Sequence, residues 1–100
     1  MRIEDDIERL ERQKNNTRFA DLARVCQDHF GRERMKGSHH IWKTPWKGDP
    51  RINLQEVKGR AKPYQVEQVI DALQKKLDIE RQEKEQTAKG DTHYATDQNK

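Results

Sequence analysis

The stretch GRERMKGSHHIWKTPWKGDPRINLQ, residues 31–55, decides the fold, because it carries no helical period between two segments that do. Arg32 to Lys36 reads as a short strand, Gly37 as a tight turn, and Ser38 to Thr44 as a strand rich in β-branched and aromatic residues. Pro45 to Pro50 is a turn-rich connection. Arg51 to Gln55 alternates polar and apolar residues, which puts Ile52 and Leu54 inward. These pieces make a three-stranded antiparallel meander.

Helices flank it. Phe19, Leu22, Ala23, Cys26 and Phe30 fall at i, i+3, i+4, i+7 and i+11, and Gly31 then stops the helix. Downstream, Pro63 suits a first helical turn, and Val66, Val69, Ile70, Leu73 and Leu77 repeat the same spacing. A polar continuation is expected to about Lys84, and residues 85–100 read as a flexible tail. At the other end, Ile3, Ile7 and Leu10 form a thin helical stripe before Asn15-Asn16-Thr17 interrupts it. The expected fold class is α+β, with helices on one face of the sheet and the other face open. The expected division is an N-terminal helical extension over 1–16, a domain over 17–79, and a polar helical extension and tail over 80–100.

With 30% hydrophobic and 39% charged residues among 100, the chain has material for one small core. No apolar run approaches the ~20 residues of a membrane span. A single cysteine forms no intrachain disulfide, and the chain reads as a reduced, cytoplasmic protein. The net charge of +3 is unevenly placed: residues 31–62 hold nine Lys/Arg against three Asp/Glu, whereas the segments on either side are slightly acidic. Basic charge gathered in one segment attracts polyanions. It also serves to keep the edges of a solvated hairpin from aggregating.

Adjacent strand residues point to opposite faces. With Trp42 turned to the helices, His40 shares its side, and His39 joins Ile41 and Lys43 on the open face; the reverse assignment would exchange the two histidines. An imidazole on a basic open face suits RNA cleavage. The 2′-hydroxyl of RNA attacks its own phosphate, so the protein need only move protons and neutralise charge, with no metal or other cofactor. Lys36, Lys43, Arg51 and Arg34 are placed to hold the phosphate. A strand histidine is also commonly a plain surface or packing residue, and two other readings stay open: a non-catalytic RNA-binding module, or a protein-interaction domain in which the amphipathic first segment and the Trp46 loop dock a partner. A zinc reading of Cys26, His29, His39 and His40 is weak, since Cys26 lies on the apolar helix face and neighbouring strand histidines do not converge on one ion. Lys58, Arg60 and Lys62 lead into the last helix, where cations oppose the macrodipole but would attract a phosphate. Trp46, in the turn, reads as packing over the hairpin rather than stacking on a base.

At Met35-Lys36-Gly37-Ser38-His39-His40-Ile41-Trp42 the sequence resembles the HicA toxins of HicA–HicB toxin–antitoxin systems. That family's signature is a glycine-serine-histidine opening the second strand, followed by an aromatic, here Gly37, Ser38, His39 and Trp42. The resemblance spans roughly Phe19 to Leu77. It implies a fold like a double-stranded RNA-binding domain, metal-independent cleavage of mRNA with His39 as the catalytic residue, and an inhibitory HicB-type antitoxin. The RNA-contacting set that follows is Lys36, Ser38, Lys43, Arg51, Lys58, Arg60 and Lys62. The opening of the last helix, Lys62-Pro63-Tyr64, departs from the family's usual entry, as do the longer Pro45–Pro50 connection and the two terminal segments.

Overall fold

A computed structural model of the chain describes residues 2–93, with side chains described through residue 84. The elements, in order, are α1 (Ile3–Arg12), β1 (Thr17–Arg18), α2 (Phe19–Phe30), β2 (Arg34–Lys36), β3 (His39–Trp42), β4 (Ile52–Leu54), β5 (Arg60–Ala61) and α3 (Pro63–His93). The fold is α+β, with three helices and two small antiparallel sheets among the described residues. No described helix is long and apolar enough to cross a membrane.

The meander forms as its patterning requires, in the order β2-β3-β4. Arg34, Met35 and Lys36 face Ile41, His40 and His39, while His40, Ile41 and Trp42 face Leu54, Asn53 and Ile52. Gly37 has φ 61°, and Ser38 stays out of the positive-φ region. That combination is a two-residue turn with glycine first, whose twist matches that of the paired strands.

One side of this sheet is the core. Trp42, Ile52 and Leu54 are buried in one cluster with Phe19, Leu22, Val25 and Cys26 of α2 and with Val66, Val69 and Leu73 of α3. Burial also pushes the Cys26 thiol well above its ordinary pKa. Helix α3 opens on Pro63. The side chain of Gln65 accepts from the Lys62 N–H at 3.2 Å and donates to the Gln55 carbonyl at 3.0 Å. The first contact is the reciprocal half of a capping box; the second ties the helix to the end of the sheet.

Three features go beyond the sequence expectation. First, the N-terminal helix is packed into the fold. Ile3, Ile7 and Leu10 belong to the same buried cluster, and α1 lies along α3. Burying three such side chains is worth about 2 kcal/mol each, which matters because a ten-residue helix is marginal alone. Second, the basic segment leading into the last helix contains β5, paired with β1 through Thr17–Ala61 and Arg18–Arg60. A tight turn makes this possible, since Lys58 and Gly59 both take positive φ, 51° and 76°. Two-residue strands are too short to display a period in sequence. Third, α3 continues past Lys84 to His93, and the rest of the expected tail, from residue 94 onward, lies outside the described residues.

The Pro45–Pro50 connection is pinned by Trp46. Its Nε1–H donates to the Pro50 carbonyl at 2.8 Å, its ring meets Phe30 edge-on, and the Lys75 ammonium sits 5.1 Å from its centre. Trp46 is therefore a structural residue, held on three sides.

Candidate nucleic-acid interface

The alternation of β3 sorts its side chains. His40 and Trp42 go under the sheet; His39 is exposed on the other side, with Ile41 half-buried beside it. Residues paired across antiparallel strands share a face. Lys36 therefore stands opposite His39 on the uncovered face, and Arg34, Ile41 and Asn53 form the next row. Continuing the same register one residue past β3 and β4 sets Lys43 opposite Arg51. The outer face thus carries Arg34, Lys36, Lys43 and Arg51 around one imidazole, with no carboxylate among these rows. None of these four cations forms a salt bridge among the described residues, whereas Arg9, Arg12, Lys14, Arg24, Lys76 and Arg81 all do. Unpaired cations crowded on one face repel each other, and an incoming polyanion relieves that repulsion.

The imidazole of His39 is held. Its Nδ1–H donates to Asn53 Oδ1 at 2.9 Å, from the diagonal position on β4. This fixes the tautomer and leaves Nε2 as the free basic nitrogen. Gln55 Nε2 donates to Ser38 Oγ at 2.9 Å, so the Ser38 hydroxyl hydrogen remains available to an acceptor. His39 and Ser38 are both exposed.

His40 has a different role. Its Nδ1 bonds the Glu33 carboxylate, and its ring packs against Phe19 at 4.8 Å between centroids. It braces the start of β2 to the underside of the sheet, which leaves the open face with one proton-transfer group.

The basic turn is separate from this face. Lys58 lies at the tip of the β-turn between Val57 and Arg60, exposed. The Arg60 guanidinium donates to Asn16 Oδ1, and Lys62 gives its N–H to the helix cap. Lys58, Arg60 and Lys62 thus line a second basic ridge on the β1–β5 ribbon, following β4 in the chain. Exposed Tyr64 stands beside them in the first turn of α3.

Sequence reasoning missed two groups. The first is Asn53, for which a signal existed: it is outward in the Arg51–Gln55 alternation, on the strand beside His39. The second is a buried pair, Asp6 Oδ2 and His29 Nε2 at 2.7 Å, with Asp6 also accepting from Arg9 at 3.1 Å. Asp6 occupies the i+3 place on the Ile3–Ile7–Leu10 stripe, where a carboxylate signals a buried partner. His29 and Asp6 join α2 to α1, and Cys26 sits in the core away from any ligand set. No group of three or more potential metal ligands occurs among the described residues. Comparisons with protein-family models, with curated proteins and with solved structures gave no match.

Proposed function

We propose that this chain is a ribonuclease of the HicA type that cleaves mRNA in the cytoplasm without a metal, on a domain resembling those that bind double-stranded RNA. One observation carries the reading: a solvent-facing imidazole, its Nδ1 anchored by Asn53, stands among four unpaired cations on an uncovered β face. His39 Nε2 takes the proton from a 2′-hydroxyl as that oxygen bonds to the adjacent phosphorus. The bond from phosphorus to the 5′-oxygen breaks, and the departing oxygen takes a proton from solvent. The products are a 2′,3′-cyclic phosphate and a 5′-hydroxyl end. Lys36 and its neighbours offset the charge that builds on the phosphate oxygens, which grows in the transition state. Lys43 and Arg51 hold the flanking phosphates, Ser38 donates to one of them, and Lys58, Arg60 and Lys62 engage the strand farther along. A HicB-type antitoxin would inhibit by covering the same face.

The test is cleavage of a defined RNA by purified protein in excess EDTA. Wild type should leave cyclic-phosphate ends, and His39→Ala should be slower by about a hundredfold or more. In cells, wild type should arrest growth and His39→Ala should not. Equal cleavage or equal growth arrest by the two proteins overturns the assignment.

A second reading, a non-catalytic RNA-binding module, is favoured by the inward turn of His40, because the open face then holds a single proton-transfer group. It requires salt-sensitive RNA binding that is indifferent to His39→Ala, together with no cleavage by wild type.

A further inference from the structure

In the order β2-β3-β4 the sheet has two edges. At β4 the helix α3 packs alongside and the Asn53 N–H donates to Gln68 Oε1 at 3.5 Å, so the free edge lies at β2. The two-residue turn makes Lys36 and His39 a hydrogen-bonded pair, and the ladder alternates from there. Arg34 and Lys36 therefore turn their backbone groups toward β3, while the N–H and C=O of Met35 point outward. Among the described residues, no loop or cap supplies a backbone partner to Met35. Nor is the strand covered from below: α2 packs on β3 and α3 on β4, and all three β2 residues stay exposed. Met35 lies on the underside, 51% exposed, a large apolar side chain beside the covered part of the sheet.

Natural edges are commonly blunted by proline, a bulge or charge. Here only charge does so, with Arg32, Arg34 and Lys36 in and beside the strand. Such a guard is selective. A second copy pairing edge to edge would set cation against cation, which destabilises the ladder. An acidic strand meets the opposite situation: carboxylates at alternate positions fall opposite Arg34 and Lys36 on the open face, and the apolar residue between them drops beside Met35.

We propose that the β2 edge is a docking site for an extended, acidic segment of another protein, which adds as a fourth strand with an acidic–apolar–acidic alternation. Main-chain bonds to Met35 supply the attachment, and the alternating side chains supply the choice of partner. The site is independent of whether His39 cleaves RNA.

The probe is a capped heptapeptide alternating glutamate and valine, compared with one alternating lysine and valine, titrated into the full chain and followed by amide NMR. The glutamate peptide should slow exchange of the Met35 amide at least tenfold, and the lysine peptide should leave it unchanged. Met35→Pro removes the outward N–H at an edge position that tolerates proline, and should weaken the glutamate peptide at least tenfold. Should that variant fail to fold, the double variant Arg34→Glu with Lys36→Glu should reverse the preference between the two peptides. Unchanged Met35 exchange under saturating glutamate peptide overturns the proposal. So does equal binding of both peptides, or protection of Met35 by a short RNA instead.

Discussion

His39 and Asn53 are joined across two strands, with the imidazole Nδ1–H donating to the amide Oδ1 at 2.9 Å. The hydrogen bond at one ring nitrogen decides which nitrogen carries the proton, so a single acceptor selects the tautomer. Replacing Asn53 by leucine removes that acceptor while keeping the volume. Ring nitrogen shifts measured by NMR at alkaline pH should then move from the Nδ1–H form to a mixture. RNA cleavage should fall about tenfold, the equivalent of one hydrogen bond of about 1.4 kcal/mol. Unaltered ring shifts would remove Asn53 from this role.

The open face should be read by RNA as charge. Each of Arg34, Lys36, Lys43 and Arg51 changed to alanine should lower the slope of log affinity against log salt by about 0.7 for a single strand. Two arginines away from this face serve as controls: Arg24 on α2, paired with Asp21, and Arg12 on α1, paired with Glu8. Alanine at either should leave the slope alone. Slopes that fall equally for the controls and for the four face cations would mean that RNA does not select this side.

Asp6 should prove structural. Its carboxylate is buried and accepts from both His29 and Arg9, so Asp6→Ala strands a buried imidazole and loosens α1. The expected loss is about 3 kcal/mol in urea unfolding. His39→Ala, at an exposed position, should cost less than about 0.5 kcal/mol in the same measurement. A small loss at Asp6 would mean that the pair does not hold α1.

Cys26 should react with thiol reagents only as the chain unfolds, since it is fully buried and its thiol is held neutral. Near pH 9.0 the thiol of the unfolded chain begins to lose its proton, whereas the folded chain keeps it. Stability attributable to the group is therefore unaffected below that pH and declines above it by about 1.4 kcal/mol per pH unit. Urea unfolding from pH 8 to 10.5 should accordingly fall more steeply for wild type than for Cys26→Ala. Parallel curves would contradict the burial argument.

Much of this was legible because the core elements are long enough to show a period. Val66 through Leu77 marks α3, Phe19 through Phe30 marks α2, and the outward set Arg51, Asn53 and Gln55 marks the open face. The assignment of His39 outward and His40 inward followed from Trp42 alone, because one large apolar ring fixes the phase of a strand. What was not legible depends on pairing between distant residues. Nothing local to Thr17 or Ala61 announces that they meet, and the fit of α1 against α3 resides in both helices at once. The bond between His39 and Asn53 belongs to this class too, since it needs the register of β4 as well as its pattern.

The turn at Gly37-Ser38 holds no slack, and the strand after it starts at once on His39. Which of two chemically identical rings meets the solvent is thus settled by parity. One residue gained ahead of His39 without a compensating bulge would rotate the strand by half a period, bringing His40 out to the cations and driving His39 beneath the helices along with Ile41. Side chains on the face can be exchanged more freely than the length of that hairpin can change.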